Sequence, residues 1–322
     1  MKELIRICII FIEILLSPIT FLSALWLKFI RRYIVKFWNS DSLISKKIFY
    51  LVGVFPVMDH YYEPQFNNTK LKIPLDKDRE LPGIDFNDNG QLQMLKNFNF
   101  NSEIEEINNL PINELNFSFT KGPFGSGDAE CLYNYIRFLK PKKIIEVGSG
   151  FSTLMAQHAI TKNKSLNNDY SCEHICIEPY ECLWLEKLPI TVKRELVENV
   201  DIDFFKKLNE NDILFIDSTH MIKPQGDVLF EYLQILPILN KGVYVHIHDI
   251  FTPKNYLNNW LNDGILFWNE QYLLEAFLSL NKDYEILGAL NYLKHKHFDE
   301  LKKVSPFLTI DREPGSFWMK RV

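Results

Sequence analysis

The stretch Lys143–Thr153 reads KIIEVGSGFST and decides the fold class of this chain of 322 residues. Its first five residues form a mostly apolar run that is typical of a short buried strand. Gly148 and Gly150 predict a tight turn, and a helical pattern begins at Ser152 and continues to about Ile160. A strand, a glycine turn and a helix in this order begin a doubly wound α/β sheet, in which ligands bind at the carboxyl ends of the strands.

The glycine turn differs from two common phosphate-binding motifs. A dinucleotide fingerprint has a third small residue where Thr153 stands, and a phosphate loop ends in a Gly-Lys-Ser/Thr sequence that this turn lacks. The carboxylate of Glu146, two residues before the first glycine, would repel a pyrophosphate and attract a cationic ligand. S-adenosylmethionine meets this requirement because it carries an ammonium and a sulfonium. We expect this cofactor to be bound by Glu146, Gly148, Ser149, Gly150, Ser152 and Thr153.

Strands and helices alternate along the chain at a spacing that predicts a parallel sheet with helices on both faces. The further strands are expected at Ile175–Glu178, Thr191–Val197, Ile213–Asp217, Gly242–Asp249, Tyr284–Leu290 and Ser316–Arg321. The helices are expected at Asp128–Leu139, Glu181–Leu188, Val228–Leu239 and Tyr272–Leu280. The last strand would complete an antiparallel edge. We therefore predict an α/β fold with a doubly wound, mostly parallel sheet.

Composition and charge limit the classes of function. With 47% hydrophobic residues the chain can bury a sizeable core, in one large domain with an extension or in two small domains. The formal net charge of −5 argues against nucleic acid as the main partner, since phosphate binding requires a basic surface. The five cysteines form no Cys-x-x-Cys pair, which indicates a reducing compartment.

The amino-terminal segment 7–27 is almost wholly apolar, with Glu13 as its one charged residue. Its length matches the roughly 20 residues that cross a bilayer. Pro18 and the acid also fit a kinked, in-plane or re-entrant anchor, or an amphipathic helix packed on the catalytic domain or on another copy of it. A cytoplasmic carboxyl side is favoured by the basic residues that follow, which are Lys28, Arg31, Arg32 and Lys36. We expect residues 1–38 to attach the protein to the inner face of a membrane.

Residues 39–115 lack the regular alternation of the later chain. They are rich in Asn, Asp and Pro turns, and residues 54–64 are dense in polar aromatic side chains. Two interpretations stay open: a cap that closes over the acceptor, or a packing arm. The expected organisation is an anchor at 1–38, this extension at 39–115 and a catalytic domain at 116–322.

Two further residues are expected to bind the cofactor. Glu178 ends the second strand, where a carboxylate can accept hydrogen bonds from both ribose hydroxyls in this fold class. The adenine should lie near the loop before the fourth strand, so we expect Val200 to contact it.

Acidic and imidazole side chains follow the fourth and fifth strands. Asp217 ends the fourth strand and His220 follows three residues later, while His248 and Asp249 end the fifth. Adjacent parallel strands lie about 4.8 Å apart and right-handed crossovers bring their ends to one edge, so these side chains can converge.

This set of side chains suits a divalent cation: the carboxylate oxygens favour Mg²⁺ or Mn²⁺, and the imidazole shifts the choice toward Mn²⁺, Fe²⁺ or Zn²⁺. The cation would coordinate an acceptor hydroxyl and lower its pKa. We predict Asp217, His248 and Asp249 as metal ligands and His220 as the general base. A metal-free site, in which Asp217 and the histidines bind substrate, is the alternative.

The Glu-x-Gly-x-Gly turn resembles motif I of the class I methyltransferases, and a more specific resemblance lies further along the chain. Asp-x-x-His after the fourth strand and the pair after the fifth resemble the metal-dependent sugar O-methyltransferases of the macrocin and mycinamicin type. In that family the Asp and the pair bind magnesium and the His is the general base, which implies these roles for Asp217, His220, His248 and Asp249. The family's pair is Glu-Asp, whereas here it is His248-Asp249.

The sequence thus predicts a methyl transfer from S-adenosylmethionine to an oxygen, namely a sugar hydroxyl of a glycolipid, a polysaccharide precursor or a glycosylated metabolite. Two alternatives stay open. One is an oxidoreductase of the NAD type on the same sheet, and the other is a non-catalytic, membrane-tethered module that binds the cofactor. The oligomeric state is left undetermined.

Overall fold

The computed structural model of the protein describes residues 2–36, 44–120, 122–262, 264 and 266–322. The chain divides into two compact units, Met1–Lys72 and Ile73–Val322. The expected organisation into 1–38, 39–115 and 116–322 stays a prediction. Of the expected segments 1–38 and 39–115, residues 1 and 37–43 lie outside the described residues.

The first unit contains the long apolar helix α1 (Lys2–Lys36) and the shorter helix α2 (Ile44–Val52). Within α1, Leu4–Tyr33 is long and apolar enough to cross a membrane by length and composition, with a mean hydropathy of 2.3 and none of its most apolar window buried in the protein. Arg31 donates two hydrogen bonds from Nη2 to the carboxylate of Glu63, at 2.9 and 3.0 Å. This ion pair ties the last part of α1 to the loop after α2.

The second unit is built on one seven-stranded sheet. Its strands are β1 (Lys143–Val147), β2 (Glu173–Ile177), β3 (Thr191–Lys193), β4 (Ile213–Ile216), β5 (Tyr244–Ile247), β6 (Tyr284–Ala289) and β7 (Phe317–Arg321). Their order is β3-β2-β1-β4-β5-β7-β6, and every pair is parallel except those that β7 makes with β5 and β6. The predicted α/β fold with a mostly parallel sheet is confirmed, although β7 lies between β5 and β6 and not at the edge.

The second unit also contains nine α-helices among its described residues, of which two precede the helix before β1. They are α3 (Asp88–Leu95), α4 (Asn101–Asn108), α5 (Asp128–Leu139), α6 (Phe151–Leu166), α7 (Asp227–Phe230), α8 (Asn258–Asn262), α9 (Glu270–Leu278), α10 (Leu290–Lys296) and α11 (Phe298–Val304). The predicted helix Val228–Leu239 begins as α7 and continues as a π-helix to Ile235 and a 3₁₀ turn to Ile238.

The helix predicted at Glu181–Leu188 is wrong, since that segment contains only a 3₁₀ turn at Leu185–Lys187. The guanidinium of Arg194 donates hydrogen bonds to the backbone carbonyls of Glu181 and Cys182, at 2.6 and 3.2 Å. The carbonyl of Glu181 is therefore bonded to a side chain and not to the amide of a following helical turn. The carbonyl of Cys182 also accepts from the backbone N–H of Leu185 at 2.9 Å, which closes only the short 3₁₀ turn.

The register of the parallel strands brings their carboxyl ends into line. Val147 at the end of β1 pairs with Ile177 on one side and with Ile216 on the other, and Ile216 pairs with Ile247. The residues that leave the sheet next therefore emerge side by side at one edge; they are Gly148, Glu178, Asp217 and His248.

Alternate residues along the strands pack in two hydrophobic cores, one on each face of the sheet. Ile144 packs in the core under α5 and α6, while its neighbour Ile145 packs in the core under α7. Both side chains are buried, as expected for a strand that helices cover on both faces.

The segment 73–115 packs on the far edge of the sheet. The amide of the buried Gln91 in α3 donates to the carbonyl of Phe86 at 2.6 Å and accepts from the backbone N–H of Ala289 in β6 at 2.7 Å. In α4, Ile104 and Ile107 are buried in the core under α5. These contacts explain why residues 73–115 belong to the second unit.

Candidate functional site

A cavity of about 950 Å³ opens at the carboxyl edge of the sheet in the second unit. The described residues that line it come from the turn after β1, from the ends of β2, β4 and β5, and from three loops. Its volume lies near the upper end of the roughly 300–1,000 Å³ of small-molecule sites. The cavity therefore has room for two ligands side by side.

The glycine turn lets β1 and β4 approach closely at the floor of this cavity. Gly148 has a φ of +74°, in the left-handed region, and a Cβ added there would lie 1.8 Å from the carbonyl oxygen of Asp217. Gly150 has open space, because a Cβ there would meet only Sγ of Cys182 at 3.8 Å. The first glycine is thus required by packing and by backbone conformation.

The structure places Glu146 beneath the turn, and it is not among the described residues that line the cavity. Its Oε1 accepts a hydrogen bond from Ser152 at 2.5 Å, and its Oε2 accepts one from Thr153 at 2.8 Å and lies 3.0 Å from Nε2 of His174. The expectation that this carboxylate faces the ligand is therefore corrected. Glu146 instead holds the hydroxyls in the first turn of α6 and so shapes the loop.

The other expected cofactor residues divide into two groups. On the cavity wall lie Gly148, Ser149, Gly150, Ser152 and Glu178. Thr153 is buried and receives a hydrogen bond from the N–H of Gly150 at 3.0 Å, so it stabilises the turn from behind. Val200 is buried in the core under α7 and is not among the described lining residues, so the structure corrects that expectation too.

The carboxylate of Glu178 is held in place by backbone donors. Its Oε1 accepts from the N–H groups of Tyr180 and Glu181, both at 2.9 Å, and its Oε2 accepts from the N–H of Ser149 at 3.3 Å. The last contact joins the end of β2 to the glycine turn after β1. A cavity-facing acid at this place fits the ribose-binding role expected for Glu178.

Opposite the glycine turn, three side chains converge at the ends of β4 and β5. Nε2 of His220 lies 3.3 Å from Oδ1 of Asp217 and 3.5 Å from Oδ2 of Asp249. One ligand atom from each of the three lies within 4.8 Å of the others, and their oxygen and nitrogen donors suit a divalent cation. Burial raises the pKa of Asp249, whereas for Asp217 the imidazoles of His248 and His220 outweigh burial and lower its pKa.

A buried glutamate fixes the orientation of His220. Nδ1 of His220 lies 2.8 Å from Oε2 of Glu270, whose other oxygen accepts a hydrogen bond from the hydroxyl of Tyr232 at 3.1 Å. The carbonyl of His220 also accepts from the backbone N–H of Asn269 at 3.0 Å, at the start of α9. Burial alone would lower the pKa of His220, but the carboxylates of Asp217 and Glu270 raise it well above its usual value.

His248 lies on the cavity wall beside this cluster. Its Nε2 is 3.5 Å from Oδ1 of Asp249, and its Nδ1 is buried without a hydrogen-bond partner among the described residues. Its ring packs against Phe124 with a centroid distance of 5.1 Å. Burial lowers the pKa of His248, but the charges of Asp249 and Asp217 outweigh burial and raise it.

His246 faces the core and contacts the hydroxyl of Ser316 at 2.9 Å.

An aromatic wall stands over His220. The ring of Trp268 lies 4.5 Å from that imidazole and 5.2 Å from the ring of Trp260 in an edge-to-face arrangement. Asn258 and Asn259 line the same part of the cavity. This region therefore combines large apolar faces with amide groups.

Several residues of the site had no recognisable signal in the sequence. Glu270 belonged to an aromatic, amide-rich segment but did not follow a strand, and its link to His220 spans 50 positions. Asp128 at the start of α5 and Arg312 in the loop before β7 also line the cavity. Glu181 and Cys182 lie on the wall close to Glu178, where the predicted helix is absent.

Part of the chain is similar to known proteins. A family model described as a methyltransferase domain matches residues 145–250, which run from β1 to the loop after β5. An uncharacterized protein of Archaeoglobus fulgidus is 31% identical over 173 residues, covering 50% of this chain and 76% of that protein. The chain is also similar to a solved O-methyltransferase from Bacillus cereus in complex with SAH, at 12% identity and a TM-score of 0.35, over 69% of this chain and 90% of that one.

The match to the Archaeoglobus protein extends over three quarters of that relative, and the methyltransferase model covers the strands that build the cavity. Residues 145–250 of the chain therefore form a methyltransferase domain.

Proposed function

We propose that this chain is a class I S-adenosylmethionine-dependent methyltransferase that acts on an oxygen, specifically a sugar hydroxyl of a glycolipid, a polysaccharide precursor or a glycosylated metabolite. S-adenosylmethionine supplies an electrophilic methyl group on its sulfonium. One observation carries the proposal: the glycine turn and Glu178 share a cavity with Asp217, His220 and Asp249. A site for the methyl donor thus adjoins groups that can activate an alcohol.

An alcohol is a poor nucleophile until its proton is removed, so the reaction requires a base. His220 is proposed for this role because its Nε2 faces the cavity while Glu270 holds its Nδ1. A neutral imidazole at this place would accept the proton of the hydroxyl. Trp268 packs over the imidazole and would exclude water from it.

A divalent cation, Mg²⁺ or Mn²⁺, is proposed to be held by Asp217, His248 and Asp249. Carboxylate oxygens suit these ions, and Nε2 of His248 lies 3.5 Å from Oδ1 of Asp249. The ligand atoms that lie within 4.8 Å of one another include His220 in place of His248, so the proposed set requires His248 to turn toward the two carboxylates. When bound, the cation would lower the pKa of the acceptor hydroxyl. It would also offset the negative charges that raise the pKa of His220 and so favour the neutral imidazole.

The aromatic wall and the amides beside it support a sugar as the acceptor. The rings of Trp260 and Trp268 offer broad apolar surfaces, and the amides of Asn258 and Asn259 offer donors and acceptors for hydroxyl groups. A lipid-linked sugar is favoured by α1, whose exposed apolar span Leu4–Tyr33 suits attachment to the inner face of a membrane. Full activity on a soluble acceptor after deletion of residues 1–38 would count against the lipid-linked part.

The proposed function is tested by transfer of a radiolabelled methyl group from S-adenosylmethionine to lipid and saccharide extracts, with and without a chelator. We expect labelled saccharide product that decreases at least tenfold with chelator and with Asp217→Asn. Asp169→Asn, at an exposed acid on the α6–β2 loop, is the matched control and should retain full activity.

Each outcome of this experiment separates one part of the proposal from the others. If the amount of labelled product is unaffected by chelator, the cation has no part in the reaction, and the proposal of methyl transfer is unchanged. If label appears only in protein or in a small non-sugar alcohol, the acceptor is not a sugar. A protein that binds S-adenosylhomocysteine and labels none of the extracts would instead support a non-catalytic binding module.

A further inference from the structure

The wall of the cavity is strongly acidic. Seven of the described lining residues carry carboxylates: Asp128, Glu178, Glu181, Asp217, Asp249, Asp311 and Glu313. Among these described lining residues, the single lysine or arginine is Arg312. A cationic methyl donor is attracted to such a wall, but its α-carboxylate is repelled wherever no positive charge lies near. Arg312 is therefore the one arginine or lysine among the described lining residues that can pair with this carboxylate.

Arg312 is held at the cavity wall and has an N–H donor without a partner among the described residues. Its Nη2 donates to the carbonyl of Pro123 at 3.3 Å, and a Cβ built on Gly125 would lie 2.6 Å from Nη2, so the guanidinium lies against the glycine backbone. Its Nε is buried without a hydrogen-bond partner among the described residues. The guanidinium is thus positioned by backbone contacts and retains hydrogen-bonding capacity for a ligand.

An acid stands beside this guanidinium. Oδ2 of Asp128 lies 3.6 Å from Nη2 of Arg312, and Oδ1 of Asp128 accepts from the backbone N–H of Ser316 at 2.8 Å. The carboxylate is therefore fixed at the start of α5, with a side-chain exposure of 1%. A fixed negative and a fixed positive group side by side on one wall match the ammonium and the carboxylate of an α-amino acid.

The position of this pair relative to Glu178 agrees with the shape of the methyl donor. Glu178 lies after β2, on one side of the glycine turn, whereas Arg312 comes from the loop before β7, beyond β4 and β5. The donor has a nucleoside at one end and an amino acid at the other. With the nucleoside at Glu178, its amino-acid end points toward the loop that carries Arg312.

We propose that Arg312 binds the carboxylate of the methionine part of S-adenosylmethionine and that Asp128 binds its ammonium. This inference rests on the proposed function, because it assumes that the methyl donor occupies this cavity. It adds a charged recognition site, built from α5 and from the loop before β7, that the glycine turn and Glu178 do not supply.

The test compares two ligands that differ only in the amino-acid end. S-adenosylhomocysteine carries the ammonium and the carboxylate, whereas 5′-methylthioadenosine has the same nucleoside and thioether without them. Dissociation constants of both are measured by calorimetry on the full chain. Arg312→Gln should weaken S-adenosylhomocysteine about tenfold or more, the effect of losing a hydrogen bond to a charged group, and should leave methylthioadenosine within about twofold.

Two further variants sharpen the comparison. Arg312→Lys should restore part of the affinity for S-adenosylhomocysteine, since it keeps the charge but loses the planar fork. Arg321→Gln is the matched control, because Arg321 lies in β7 and pairs with Asp283 away from the cavity. That control should change neither dissociation constant.

The inference is overturned if Arg312→Gln leaves the affinity for S-adenosylhomocysteine unchanged, or if it weakens both ligands equally. Either result would leave the proposed function standing, provided that the unmutated protein binds S-adenosylhomocysteine. Failure of the unmutated protein to bind either ligand would overturn the proposed function and this inference together.

Discussion

Nδ1 of His220 lies 2.8 Å from Oε2 of Glu270, and both side chains are buried. His220 lies in the loop after β4 and has a φ of +58°, in the left-handed region that few residues other than glycine adopt. Glu270, at the start of α9, contacts the imidazole through its carboxylate. The contact leaves Nε2 as the nitrogen that faces Asp217 and Asp249.

We predict that Glu270→Gln lowers the pKa of His220. The Glu270 carboxylate stabilises the imidazolium, so its replacement by a neutral amide of similar shape removes one of the groups that raise this pKa. The measurement is an NMR titration of the His220 ring in chelator-treated protein. An unchanged pKa would contradict the electrostatic contact between Glu270 and His220.

A second prediction concerns the two glycines of the turn after β1. Gly148→Ala should destabilise the fold by at least about 2 kcal/mol, since the added methyl overlaps the Asp217 carbonyl and the backbone has a positive φ. Gly150→Ala should cost far less, because only Sγ of Cys182 lies nearby, at 3.8 Å. Urea denaturation of both variants measures the difference, and equal losses would contradict the close approach of β1 and β4.

A third prediction links stability to pH through Glu130 in α5. Burial raises the pKa of Glu130 to about 7 from its usual 4.5, although the backbone N–H groups of Gly127 and Phe307 donate to it. The pKa of Glu130 is higher in the folded protein than in the unfolded chain. The contribution of the protonated Glu130 carboxyl to stability is therefore complete below about pH 4.5 and is lost as the pH rises through about 7. The loss amounts to about 3 kcal/mol for a shift of this size.

Glu130→Gln keeps the uncharged form at all pH values, so it should remove this dependence. The free energy of unfolding is compared at about pH 5 and about pH 8 for the variant and the unmutated protein. We expect the decrease between the two pH values to be smaller in the variant. An identical decrease would mean that Glu130 is not the buried acid responsible.

A fourth prediction separates the two imidazoles at the cavity wall. His248→Gln should weaken Mn²⁺ binding about tenfold or more, as expected for the loss of a ligand, whereas His220→Gln should abolish methyl transfer and leave Mn²⁺ affinity nearly unchanged. Binding is read from the electron paramagnetic resonance signal of free Mn²⁺. The reverse pattern would exchange the two roles, with Nε2 of His220 acting as the ligand beside Asp217 and Asp249.

The sequence predicted those parts of the site that follow from local pattern and sheet geometry. Strand, glycine turn and helix have local signals, and parallel strands must end at one edge, so Gly148, Glu178, Asp217 and Asp249 were expected on one wall. All four line the cavity.

The remainder of the site depends on tertiary contacts. The direction of the Glu146 carboxylate is set by hydroxyls in the first turn of α6 and by His174 on β2, so its charge is used inside the protein and not on the ligand. Glu270 and Arg312 reach the cavity from segments far along the chain, and no spacing rule relates them to β4 or α5. Val200 is turned into the core by the packing of its loop.

The central claim is that the cavity beside the glycine turn binds a cationic methyl donor and not a pyrophosphate. It is tested most directly by thermal unfolding of the full chain with S-adenosylhomocysteine and, separately, with NAD. We predict that S-adenosylhomocysteine raises the Tm in a concentration-dependent way and that NAD leaves it unchanged. A rise in Tm with NAD and none with S-adenosylhomocysteine would contradict the account.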